Sequence, residues 1–324
     1  MNSVTNIVLA SCVAACCSAV FGQTTEQPVM LTVEVADIVL YRGNTFDLSR
    51  IATNPGLTTS VNTAFLTSVS IADVRTVNGR PAKGIWSYQV VALPFRANPQ
   101  PGQAIADVDS SGFFQCMWQI LSPDGKFIGA LFDNGPTAPL ANHAITGGTG
   151  AFQGITGAHV GVLSTTITPQ RGASTSEDPA NRRINGGGKA RTTLILYPRT
   201  RPSVELTPAG PSVFHADFSP VTAANPARAG EVLISAARNL GPTLPDLLPP
   251  GTRPFTADPL EPVNSPVEVT MGGREAEVIN ALGWPGTSDL YRLDFRVPSV
   301  APGLATIQVT AAWIPGPTVQ IPVR

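Results

Sequence analysis

Residues 113–133 read FFQCMWQILSPDGKFIGALFD. Two apolar-rich runs flank Pro123-Asp124-Gly125, a turn whose glycine accepts a positive φ without steric cost. Side chains alternate between the faces of a strand. Phe114, Cys116, Trp118 and Ile120 therefore share one face, and Phe113, Gln115, Met117 and Gln119 share the other. The pattern predicts a β-hairpin with strands over 113–121 and 126–133.

The same period of two recurs on both sides. Val29, Leu31, Val33 and Val35 alternate with Met30, Thr32, Glu34 and Ala36, and Trp86, Tyr88 and Val90 mark one face of 85–93. Further strands are expected over 158–168 and 189–197, separated by a polar stretch, 169–188, that reads as a mobile loop. After YPRTRP (197–202) the alternation restarts at 231–237, 266–271, 274–282, 290–297, 304–312 and 318–323. Gly272-Gly273 suits a tight hairpin turn between two of these runs. The chain holds 30 Gly and 31 Pro in 324 residues, which punctuate short strands and break helices. The expected architecture is all-β and in two parts: a barrel over 23–201, then a β-sandwich over 202–324.

Lys and Arg number 21 against 22 Asp and Glu, so no basic footprint for nucleic acid exists. Residues 1–22 have the form of a secretion signal. An uncharged apolar run, 7–20, leads to Phe21 and the small residue Gly22 before Gln23 and is too short to span a membrane. An alternative processing route would lipidate Cys16, which follows a lipobox-like Val13-Ala14-Ala15. Either route makes the protein an exported one, extracellular or periplasmic, with no transmembrane segment. Cys12, Cys16 and Cys17 lie in the signal, which leaves Cys116 without an intrachain disulfide partner. It reads as a buried small hydrophobe, with no His or Lys near it in sequence to activate it.

Residues 144–157, AITGGTGAFQGITG, follow the Asp-Ser-Ser-Gly-Phe and Ser-Pro-Asp-Gly segments at 109–113 and 122–125. This series resembles the second half of the allene oxide cyclase and dirigent barrels, and the resemblance as a whole extends over about residues 28–198. The resemblance implies a barrel mouth that shelters a reactive apolar molecule, with ring closure or coupling directed by electrostatics. Within the motif, Gly147, Gly148 and Gly150 read as a tight strand connection and Phe152 as a plug for the barrel end. A phosphate cradle is disfavoured, because a strand rather than a helix follows the glycines. In the second half, NPA at 225–227, NLGPT at 239–243 and LYRLDFRVP at 290–298 resemble an immunoglobulin-like, TIG-type C-terminal domain of secreted acidobacterial proteins. That likeness implies a fold and no chemistry.

Candidate chemistry is sparse. His143 and His159 flank the glycine motif, but two histidines without a nearby cysteine or carboxylate make a poor metal site. No G-x-S-x-G, H-E-x-x-H or C-x-x-C occurs. The expectation is therefore no metal and no cofactor. Polar residues that alternate with apolar ones are the candidate pocket lining: Glu34, Arg75, Gln115, Gln119 and Arg191. Periodicity alone equally places them on a solvated outer wall. Two functions fit: a binding or structural module for a small apolar ligand or a cell-surface partner, and a cofactor-free isomerase, cyclase or coupling-directing barrel.

Overall fold

The computed structural model describes residues 27–42, 66–94, 110–136, 142–174 and 177–324. Residues 1–22, where a signal is expected, lie outside the described residues, Cys16 among them. The first part contains β1 (Val29–Arg42), β2 (Leu66–Val77), β3 (Arg80–Pro81), β4 (Lys83–Pro94) and β5 (Ser110–Leu121). It continues with β6 (Phe127–Pro136), β7 (Asn142–Gly150), β8 (Thr156–Thr168), β9 (Arg171–Ser174) and β10 (Gly188–Tyr197). Pairing runs β2–β4–β5–β6–β7–β8–β10–β1, and β1 pairs back onto β2. Eight antiparallel strands thus close into a barrel, and closure removes the free edges an open sheet would present.

Alternation decides which side chains fill it. Leu31, Val33 and Val35 of β1, Trp86 of β4 and Cys116, Trp118 and Ile120 of β5 are buried in one core. At Asp37 the backbone turns to φ 56° and the β1–β10 register slips between Ala36 and Ile38. A bulge of this kind resets the parity, so Ile38 and Leu40 join the core after Val35.

Of the stretch expected as a mobile loop, 169–188, the described residues 169–174 and 177–188 carry regular structure instead. β9 pairs in parallel with β1, and a 3-10 turn (Pro179–Asn181) leads into one helical turn, Arg182–Asn185. Asp73, on the outer face of β2, holds it down. Its carboxylate pairs with buried Arg182, and Arg183 Nε lies 2.5 Å from Oδ2 and Nη2 3.0 Å from Oδ1. Arg171 grips Glu177 through two contacts of 3.0 and 2.6 Å. Paired guanidinium–carboxylate geometry of this sort is directional and strong, which a reading of composition alone does not register.

The second part holds β11 (Ser203–Val204), β12 (Leu206–Thr207), β13 (Gly210–Pro211), β14 (Val213–Phe214) and β15 (Val232–Arg238). β16 (Val267–Met271), β17 (Arg274–Gly283), β18 (Leu290–Arg296), β19 (Gly303–Ala311) and β20 (Ile314–Val323) complete it. Leu233, Val269, Met271, Tyr291, Leu293, Phe295, Ile307 and Val309 form its own core. Gly272 and Gly273 take φ of 57° and 77° in the expected β16–β17 turn. Among the described residues no helix is long and apolar enough to cross a membrane.

The two parts meet at one end of the barrel. Ala312, Trp313 and Ile314, at the tip of the β19–β20 hairpin, belong to the same hydrophobic core as Ile128 and Phe152 of the barrel. Around them Arg80 Nε lies 3.1 Å from Glu268, and the Asn264 side chain donates to the Phe127 carbonyl.

Candidate functional site inside the barrel

Antiparallel register assembles a polar centre from four strands. β5 and β6 pair so that Cys116 faces Asp133, and β7 and β8 pair so that His143 faces His159. All four side chains are buried. Space for the His143 ring comes from Gly135 on β6, where a Cβ would stand 2.3 Å from the ring Cδ2.

Asp133 is the hub. His143 Nδ1 lies 3.1 Å from Oδ1, His159 Nδ1 lies 3.3 Å from Oδ2, and the Trp118 indole donates to Oδ2 at 2.8 Å. Burial alone would push this carboxyl's pKa up. The nearby rings of His143 and His159 and the Trp118 N–H outweigh it and hold the group well below the usual carboxylate range. An ionised carboxylate is thus kept in an apolar interior by surrounding donors, as burial of a charge requires.

His159 Nε2 lies 2.9 Å from the Thr192 hydroxyl. Its Nδ1 makes no hydrogen bond among the described residues despite its nearness to Asp133, and His143 Nε2 likewise has no partner there. Burial, and then the charge of Asp133, push the Cys116 thiol up, with Trp86 working weakly in the other direction. Cys116 is therefore a thiol and a poor nucleophile as it stands.

An aromatic panel backs this centre. Trp86 stands 5.6 Å from Trp118 and 5.0 Å from Tyr88 between ring centroids. Tyr88 stacks on Phe114 at 4.6 Å, and Phe114 lies 4.2 Å from the His143 ring. Trp118 meets His159 edge-on at 5.3 Å.

The residues singled out from the sequence fall elsewhere. Glu34 and Arg191 face each other across β1 and β10 on the outer wall, 2.5 Å apart, with Thr76 bonded to the same carboxylate. Arg75, half-exposed, bonds Asp37 at 2.6 Å on the exterior. Gln115 and Gln119 alternate with the buried Phe114, Cys116, Trp118 and Ile120, so both belong to the outer wall, with Gln115 the more exposed. Phe152 is fully buried at the Trp313 end of the barrel. Gly148 and Gly150 are in close backbone contact there, but Gly147 is an ordinary strand residue of β7 with nothing within 4 Å of a Cβ position.

The premise that the histidines lack a cysteine or carboxylate fails in three dimensions, because closure of the barrel supplies Cys116 and Asp133. The sequence signal for Asp133 was a carboxylate ending the apolar run GALF on the parity of Leu131. Comparison with protein-family models, curated proteins and solved structures found no match for the chain.

Proposed function

We propose that the chain is an exported two-domain binding protein, in which an allene oxide cyclase- or dirigent-like barrel holds a small, mostly apolar molecule bearing one polar group, and an immunoglobulin-like domain serves as its accessory. The observation that carries this reading is His143 Nε2, a buried ring nitrogen with no protein partner among the described residues, set against Phe114. Buried polar atoms in native proteins are nearly always satisfied, so such an atom beside an aromatic wall suits a ligand's polar group. Trp313 stoppers one end of the barrel. The ligand enters from the other, past Tyr88 and Phe114.

The test is mass spectrometry of small molecules extracted from the full mature protein purified from its native secretion. The reading expects one compound at near-stoichiometric amount, lost in a His143→Phe variant that keeps its fold. Protein that carries no compound, and binds none from an extract of the same secretion, overturns it.

A second reading, a cofactor-free isomerase or cyclase, is favoured by the Asp133–His143 pair. A carboxylate that accepts a hydrogen bond from Nδ1–H leaves Nε2 as the proton acceptor, the arrangement of a general base. Conversion of the extracted compound on incubation with the protein, absent in His143→Gln, distinguishes catalysis from storage.

A further inference from the structure

We propose that Cys116, Asp133, His143 and His159 form a binding site for a transition-metal dication of the zinc class, enclosed by the barrel wall. One donor atom from each of the four lies within 4.8 Å of every other, and all four residues are buried. With metal–ligand bonds of about 2.0–2.3 Å, the edges of a tetrahedral site measure about 3.3–3.8 Å. His159 Nδ1 stands 3.3 Å from Asp133 Oδ2, already at that length, and His143 Nδ1 stands 3.1 Å from the other oxygen, Oδ1. The longest separation needs about 1 Å of closure, which small side-chain rotations supply.

The donor set selects the metal. One sulfur, two imidazole nitrogens and one carboxylate suit zinc-class ions, and exclude magnesium or calcium, which take oxygen. The outer partners that ligands need are also present. Trp118 donates to Asp133, and Thr192 stands at the far nitrogen of His159, as a partner that fixes a ligand's tautomer does. That leaves His159 Nδ1, which makes no hydrogen bond, turned to within 3.3 Å of a carboxylate oxygen. A shared cation satisfies both atoms at once.

Charge balance points the same way. A thiolate and a carboxylate together carry two negative charges, which a dication neutralises inside an apolar wall. On binding, the Cys116 S–H bond breaks, a sulfur–metal bond forms and the proton leaves to the buffer. The His143 Nδ1 hydrogen bond to Asp133 gives way to coordination. The raised thiol pKa of the metal-free protein is no obstacle, because a coordinating metal deprotonates a thiol outright. The site requires no organic ligand in the barrel, so a failure to bind metal leaves the binding function above untouched.

The experiment titrates the full mature protein with Co2+ and then with Zn2+. One equivalent of Co2+ should bind, with the intense visible bands of a tetrahedral site and a near-ultraviolet thiolate charge-transfer band. An equimolar amount of Zn2+ should abolish both. Cys116→Ser should lose the charge-transfer band, and Asp133→Asn should lose at least about tenfold in affinity. Glu231→Gln, at the separate His215–Glu231 pair 3.2 Å apart, should bind like the parent. If the core variants do not fold, the parent's melting temperature decides: Zn2+ should raise it and a chelator reverse the gain. Binding of less than a tenth of an equivalent, a spectrum indifferent to Cys116→Ser, or a melting temperature indifferent to Zn2+ overturns the proposal.

Discussion

Gly148 and Gly150 lie in one motif with Gly147, yet the three residues meet different surroundings. A Cβ on Gly148 would stand 2.5 Å from the Phe152 carbonyl oxygen and 2.8 Å from the Phe152 Cβ. Gly150 has φ 63°, and a Cβ there would lie 2.4 Å from the Ile128 carbonyl oxygen. Both contacts involve backbone that cannot rotate away. Gly148→Ala and Gly150→Ala should each cost about 1–3 kcal/mol, the range for overpacking a close-fitted site. Gly147→Ala should stay within about 0.5 kcal/mol, as at an open position. Thermal melts of the three variants check this; equal losses at all three would refute the account of the turn. The motif's composition suggested three equivalent glycines, and only the approach of β6 and Phe152 separates them. The same limit applies to the polar candidates. Period two correctly grouped Phe114, Cys116, Trp118 and Ile120, but nothing local says which group faces inward. Glu34, Arg75, Gln115, Gln119 and Arg191 stand outside because their apolar neighbours fill the barrel.

The β19–β20 hairpin is the element that joins the two parts. Its two-residue turn places Ala312 at φ 48° and Trp313 at φ 62°. Turns of this class favour Asn and Gly, and residues with a Cβ are strained there. Packing holds the conformation: Trp313 lies in the barrel core with 8% of its surface exposed, and Ala312 N–H bonds the Pro266 carbonyl at 3.0 Å. Trp313→Gly separates the two contributions. Glycine relieves the turn, so any loss reports the missing plug. The variant should be less stable than the parent by about 3 kcal/mol, the scale of emptying a large aromatic site. Denaturant unfolding of the full chain measures it, and an unchanged or higher midpoint would mean that Trp313 does not stopper the barrel. The sequence presented this hairpin as two alternating runs. That its tip belongs to the core of the other part depends on how the two parts dock, which no local pattern encodes. The helical turn at Arg182–Asn185 escapes a local reading for a related reason: its partner, Asp73, lies about a hundred positions earlier in the chain.

At the scale of the molecule, closure of the barrel is what creates chemistry. Cys116, Asp133, His143 and His159 come from four successive barrel strands, and only the wrapped sheet turns their side chains toward a common centre. Alternation made the all-β class and most strands legible, and the glycine turn between His143 and His159 allowed the two to approach each other. The hub was not legible, because Asp133 looks like the end of an apolar run until the β5–β6 register sets it against Cys116. The chain carries three histidines, so each ring can be observed separately by long-range 1H–15N NMR. The direct test is to record those spectra for the full protein and for its Asp133→Asn variant. The account predicts that the ring nitrogens of both His143 and His159 shift, while His215, paired with Glu231, does not move. Core histidine signals that are unchanged by Asp133→Asn would contradict the convergence on which the functional reading and the metal proposal both depend.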